Sequence, residues 1–222
     1  MPPVDWDLAA RSLGPIVLGA VRGTVPLAIV SFAAGMLVAV GVALARLSRH
    51  RVLSGAGRAY VSVIRGTPLL VQLFVVFYGL PSLGLVIDPW PSAIIAFSLN
   101  VGGYGAEIVR AAILSVPKGQ WEAAHVIGMS HRQSLTRIVL PQAARVSVPP
   151  LSNTFIALVK DTSLASLILV TELFRRAQQV AAFSQQFMLL YLEAALVYWV
   201  ICLALSVGQT RLERRLDRYV AH

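Results

Sequence analysis

The chain has 222 residues, the size of one domain or one small membrane bundle. Its 57% apolar content and mean hydropathy of +0.72 exceed the roughly 45–50% apolar residues of soluble domains, which excludes an ordinary water-soluble protein. The net charge of +9 invites a nucleic-acid surface, but the basic residues fall mainly in three short blocks between apolar runs, Arg46–Arg58, Arg110–Arg145 and Arg211–Arg218. Such loop charge is the signature of a multi-pass membrane protein, so a lipid bilayer and no nucleic acid is the expected partner.

The N-terminal stretch MPPVDWDLAARSLG has two acids and no basic region ahead of an apolar run. It does not read as a cleavable signal peptide, and the first span is expected to serve as an uncleaved insertion signal. Gly23–Ala45 and Gly66–Ile87 contain no charged residue over 23 and 22 positions, against the roughly 20 that cross a bilayer core. Five spans are predicted, at about Pro15–Ala45, Tyr60–Leu80 (interrupted by Pro68), Pro91–Leu114, Pro150–Thr171 and Met188–Thr210. The first is longer than a bilayer requires, which implies tilt or extension beyond it.

Loops one–two and three–four and the C-terminal tail are basic. The loop PSLGLVIDPW has no basic residue, and the last loop has only Arg175 and Arg176. This asymmetry predicts an external N-terminus and a cytoplasmic C-terminus. No inverted repeat is visible, which argues against many secondary-transporter architectures.

Between spans three and four lies a polar, helix-prone loop at about 117–145. Pro117-Lys118-Gly119 breaks the chain, and Gln120–Ile127 reads as a short helix. Gly128 suits the left-handed position that closes it. Ser130, with Gln133 three residues on, forms a capping box for a second helix, expected to end near Leu140 ahead of Pro141. A glycine corner between two short helices gives a compact cytoplasmic knob. Glu122 offers a carboxylate, and Ala123 and Ala124 are small enough to let another surface approach. The plain alternative is a surface hairpin with no partner.

The run Glu122-Ala123-Ala124, then Gly128, Ile138, Leu140 and Pro141 resembles the cytoplasmic EAA loop of ABC importer permeases. Arg65-Gly66-Thr67-Pro68-Leu69-Leu70 resembles the RGTPLL signature of polar-amino-acid permeases. Ala106–Arg110 and Lys160–Leu164 are similar to two further segments of that family. The resemblance spans about Tyr60–Phe174. It implies an all-α integral membrane protein, a single permease domain over residues 1–222 with about five transmembrane helices and a cytoplasmic coupling hairpin, in the manner of a type I ABC importer. It further implies a bacterial cytoplasmic-membrane location, an ABC ATPase dimer docked through Glu122, Ala123, Ala124 and Gly128, a second permease chain, identical or related, and an external amino-acid-binding protein.

Several polar side chains fall inside the predicted spans. Lys160 and Asp161 lie near the middle of span four, where a charge costs roughly 2.5–3.5 kcal/mol, so each must meet protein or water. Glu107 is a plausible partner for Lys160, and a local i, i+3 ion pair with Arg110 is the alternative. Asn100 and Asp161 come out at a similar depth and could meet the polar end of an amino acid in a central cavity; an interhelical hydrogen bond is the alternative for Asn100. These four, with Thr67 beside Pro68, form the expected solute path. Gly102, Gly103 and Gly105 read as close-packing positions, Arg65 as an interfacial anchor, and Trp6, Trp90, Trp121 and Trp199 as interface residues. Cys202 reads as a small packing residue.

Neither lysine, Lys118 or Lys160, belongs to a phosphate-cradling Gly-x-x-x-x-Gly-Lys-Ser/Thr loop, so ATP and magnesium are expected on the partner ATPase and no cofactor on this chain. His50, His125, His131 and His222 are scattered without metal-ligand spacing, and no nucleophile–base set is present. The expected function is translocation of a polar amino acid or close analogue by alternating access, driven by ATP on another subunit. The alternatives are an ion-coupled transporter or channel using Asp161 and Glu107, or a membrane scaffold that transports nothing.

Overall fold

The computed structural model describes residues 6–217; Asp5, Arg218 and His222 lie outside them. Among the described residues the regular structure is helical. Helix α1 spans Trp6–Leu47, α2 Arg51–Gly66, α3 Leu69–Leu83, α4 Pro89–Ser115, α5 Lys118–Val126, α6 His131–Ile168, α7 Leu173–Ser184 and α8 Phe187–Asp217. Three of these, α1, α4 and α8, are long and apolar enough to cross a membrane alone. Two bent pairs, α2 with α3 and α6 with α7, bring the candidate spans to five.

Helix α1 starts nine residues before the expected Pro15. Its 42 residues give a rod of about 63 Å, roughly twice a bilayer's hydrocarbon thickness. A π-turn at Ala20–Thr24, closed by Val25 N–H donating to the Ala20 carbonyl, ends two residues before Pro26. Packing of α1 on α4 forms the centre of the molecule. It is close because of glycine: a Cβ on Gly35 would stand 2.6 Å from Val101 Cβ, and one on Gly105 would stand 2.9 Å from Ala39 Cβ. Phe97, Val101, Leu27, Leu73 and Ile168 fill the core around this contact. Ser98 Oγ donates to the Ser31 carbonyl at 3.2 Å and Tyr60 OH to the Leu99 carbonyl at 2.6 Å, tying α1 and α2 to α4.

The second predicted span is not one rod. Helix α2 begins nine residues earlier, at Arg51, with Ser54, Gly57, Val61 and Ile64 buried on one face, and α3 leaves it at 106°. Pro68 has no N–H and disfavours helical backbone at the residue before it, and Thr67 is extended at φ −121°, ψ 144°.

The hairpin at 117–145 keeps its predicted corner and loses its predicted end. Gly128 has φ +79°, and both bonds of the capping box form, Gln133 N–H to Ser130 Oγ at 3.3 Å and Ser130 N–H to Gln133 Oε1 at 2.8 Å. The second helix does not stop at Leu140. A π-turn at Leu135–Val139, with Leu140 N–H on the Leu135 carbonyl, changes the hydrogen-bond register just where Pro141 lacks a donor. The helix continues through Pro149 and Pro150 to Asp161 and tightens into a 3-10 segment, Thr162–Ile168. Leu169, at φ +67°, ends it, and α7 departs at 48°. The expected loop containing Arg175 and Arg176 is thus helix α7.

Candidate functional site

Break and cavity arise together at Pro68. Interrupting the helix frees the carbonyls of Ile64 and Thr67, which must find donors. Gln72 supplies them: its Nε2 donates to Ile64 O at 2.7 Å, Thr67 O at 3.1 Å and Thr67 Oγ1 at 3.0 Å. Its Oε1 accepts from Asn100 Nδ2 at 3.1 Å, so α4 is joined to the break.

Beside this network is a cavity of about 270 Å³ lined by Thr67, Leu69, Asn100, Val101, Thr154 and Asp161, among others. Three of the five residues predicted for the solute path, Thr67, Asn100 and Asp161, therefore share one cavity. Asp161 is half-buried, and its carboxylate makes no hydrogen bond with another described residue. Tyr104 closes one side, with the Arg65 guanidinium 5.4 Å from its ring centroid, so Arg65 stacks on an aromatic face as well as lying exposed.

The other two residues lie elsewhere. Lys160 is exposed and does not line the cavity. Both it and Asp161 sit at the end of the α-helical part of α6 and not at its centre, because the helix starts well before Pro150. Glu107 does not pair with Lys160. It bridges Arg46 on α1 and Arg110 on its own helix, the latter at 3.3 Å, and so holds the ends of α1 and α4 together.

In the knob, Glu122, Ala123 and Gly128 are exposed, with Val126 and Ile127 beside them at 85% and 71% exposure. Ala124 differs from the expectation that it meets a partner: it is 3% exposed and packs inward. One helical turn cannot present both adjacent alanines to the same side. The Trp121 indole stacks on His131 at 5.1 Å between centroids. Trp121 also joins the cluster of Leu47, Ile113, Val116 and Val139 that seats the knob against α1, α4 and α6.

A buried group that the predicted elements pass over is Glu172, fully enclosed at the start of α7. Its carboxylate accepts from Phe174 N–H at 2.9 Å, Arg175 N–H at 2.6 Å, Tyr198 OH at 2.7 Å and Thr24 Oγ1 at 3.3 Å. It is an N-cap that also fastens α1 and α8. Gly19 and Gly23 make room for it, since a Cβ on Gly23 would lie 2.5 Å from Glu172 Cα. The available signal was an acidic residue at a helix start, in Thr171-Glu172-Leu173-Phe174.

The family of binding-protein-dependent transport system inner membrane components matches residues 31–218. The chain is 59% identical to the L-cystine transport system permease protein TcyB of Bacillus subtilis (strain 168) over 219 residues, covering 98% of this chain and 94% of the relative. It is 33% identical to the glutamine transport system permease protein GlnP of Escherichia coli (strain K12), covering 96% of this chain and 97% of that one. A solved amino acid ABC transporter with histidines superposes with a TM-score of 0.90 at 32% identity, covering 96% of this chain and 99% of that chain. With the family, the ion-coupled and scaffold alternatives fall away, and the nucleotide belongs to another subunit. The chain belongs to the binding-protein-dependent transport system inner membrane components, as the multi-pass permease subunit of an amino-acid ABC importer that works with a separate ATPase and a binding protein.

Proposed function

We propose that this permease carries L-cystine or a closely similar polar amino acid, and that the solute passes the cavity bounded by Thr67, Asn100 and Asp161. The observation that carries the solute class is the 59% identity to an L-cystine permease along 98% of the chain. The cavity chemistry supports the reading: the Asp161 carboxylate suits an α-ammonium group and the Asn100 amide can hydrogen-bond an α-carboxylate. Leu69, Val101 and Leu158 give the apolar wall for the rest. Glu107 and Lys160 have no part in this path.

The exposed face of Glu122, Ala123, Val126, Ile127 and Gly128 is the docking surface for one ATPase of a dimer. Five candidate spans enclose only part of a path, so a second permease chain completes it. The basic loops put the knob and the C-terminus in the cytoplasm and the N-terminus outside. Closure of the ATPases then draws two knobs together and reorients the spans (alternating access). The test is uptake into proteoliposomes holding permease, ATPase and binding protein. Excess L-cystine should suppress labelled uptake, and L-glutamine or L-histidine should do so weakly. Equal suppression by all three would overturn the cystine assignment.

A further inference from the structure

Away from the solute cavity, a second concavity of about 570 Å³ lies between α1, α6 and α8. Its walls include Phe32, Ser152, Phe155, Leu205, Gly208 and Leu212. The rings of Phe32 and Phe155 meet edge to face at 5.1 Å between centroids and form an apolar end. At the other end Gln209 Nε2 donates to Asn153 Oδ1 at 3.1 Å and to Glu213 Oε1 at 2.8 Å. Along α8 the wall runs from Ala204 to Leu212 and along α6 from Val148 to Ile156. Each run covers about 12 Å, close to the roughly 15 Å of a single leaflet's hydrocarbon depth.

Charge marks one end of the groove. Arg211 is three residues beyond Gly208 and Arg215 three beyond Leu212, so both continue the groove-facing side of α8. Both are exposed, and neither side chain makes an ion pair or hydrogen bond with residues 6–215. Glu213, an acid on the same helix, is engaged by Gln209. An apolar slot about 12 Å long, ending in two exposed guanidinium groups with no ion pair among residues 6–215, is complementary to a molecule that joins an acyl chain to an anionic head.

We propose that this groove holds an anionic phospholipid, with an acyl chain along Phe155, Gly208 and Leu212 and the phosphate on Arg211 and Arg215. The guanidinium fork matches phosphate oxygens, and a basic site beside membrane helices selects anionic headgroups. Nothing in the assignment depends on which leaflet faces the cytoplasm.

The test uses the permease–ATPase complex in nanodiscs carrying a photoactivatable acyl chain on phosphatidylglycerol or on phosphatidylcholine. Crosslinks are mapped by peptide mass spectrometry. The phosphatidylglycerol probe should label 148–156 and 204–212 at least fivefold more than the phosphatidylcholine probe. R211Q with R215Q should remove that preference. A Cβ at Gly208 meets nothing within 4 Å, so the branch point of G208L is tolerated and its side chain occupies the slot; it should abolish labelling, with basal ATP hydrolysis unchanged. Equal labelling by both probes would overturn the anionic assignment. Labelling confined to other segments, or protein–protein crosslinks placing a second copy of the chain over 204–212, would overturn the site.

Discussion

Asn100 Nδ2 on α4 donates to Gln72 Oε1 on α3 at 3.1 Å, and the same Gln72 side chain caps the carbonyls freed by the Pro68 break. One glutamine thus joins the helix interruption to the wall of the cavity. Gln72→Ala should be the more damaging change, because it leaves the part-buried Ile64 carbonyl short of a donor at about 1–3 kcal/mol and also loses the bonds to Thr67 and Asn100. Asn100→Ala removes one bond, worth about 1 kcal/mol. Thermal unfolding of the purified complex should rank the two in that order, and uptake should fall in both.

The adjacent knob alanines should behave differently. Ala123 is exposed, so Ala123→Trp is expected to release the ATPase while the permease still inserts and keeps its melting temperature. Ala124 is 3% exposed, so Ala124→Trp should overpack the knob itself, costing about 1–3 kcal/mol. Co-purification of the ATPase, read beside the melting curve, separates the two; retention of the ATPase by Ala123→Trp would remove that residue from the docking surface.

Glu172 should be among the most sensitive positions for stability. Glu172→Ala strands the Tyr198 hydroxyl and the first N–H groups of α7 in a buried site, an expected loss of about 2–4 kcal/mol. Gly23→Leu should approach it, because its Cβ would stand 2.5 Å from Glu172 Cα. Chemical denaturation of the detergent-solubilised complex measures both.

Much of this was legible in the residues. Charge-free runs, Pro68, the Gly128 corner and the Ser130–Gln133 box each reflect local chemistry, and each is found in the structure. What local pattern could not carry was continuation across a proline. Pro141 signals a helix stop, yet a one-residue register change at Leu135–Val139 lets the helix pass, and that moved Lys160 and Asp161 from mid-helix to its end. The pairing of Glu107 with Arg46 joins residues 61 positions apart, which sequence spacing cannot reach. Glu172 was passed over for the same reason, since its partners Thr24 and Tyr198 come from two other helices. Asn100 and Asp161 were singled out because polar groups in an apolar span are costly enough to need an explanation, and the structure puts them with Thr67 on the wall of one cavity.

The orientation assigned from basic loops has a direct check. A cysteine at Ser82 should react with an impermeant thiol reagent applied from outside, and one at Ser130 only after the membrane is opened. The reverse pattern would invert the topology.

The central claim is that solute passes Asp161, and its most direct measurement is binding-protein-dependent uptake of labelled L-cystine set against basal ATP hydrolysis in Asp161→Asn. The substitution keeps the side-chain size and removes the charge offered to an ammonium group. Uptake should drop at least tenfold, with ATPase assembly and basal hydrolysis at the unsubstituted level. Wild-type uptake across a range of L-cystine concentrations in that variant would contradict the claim.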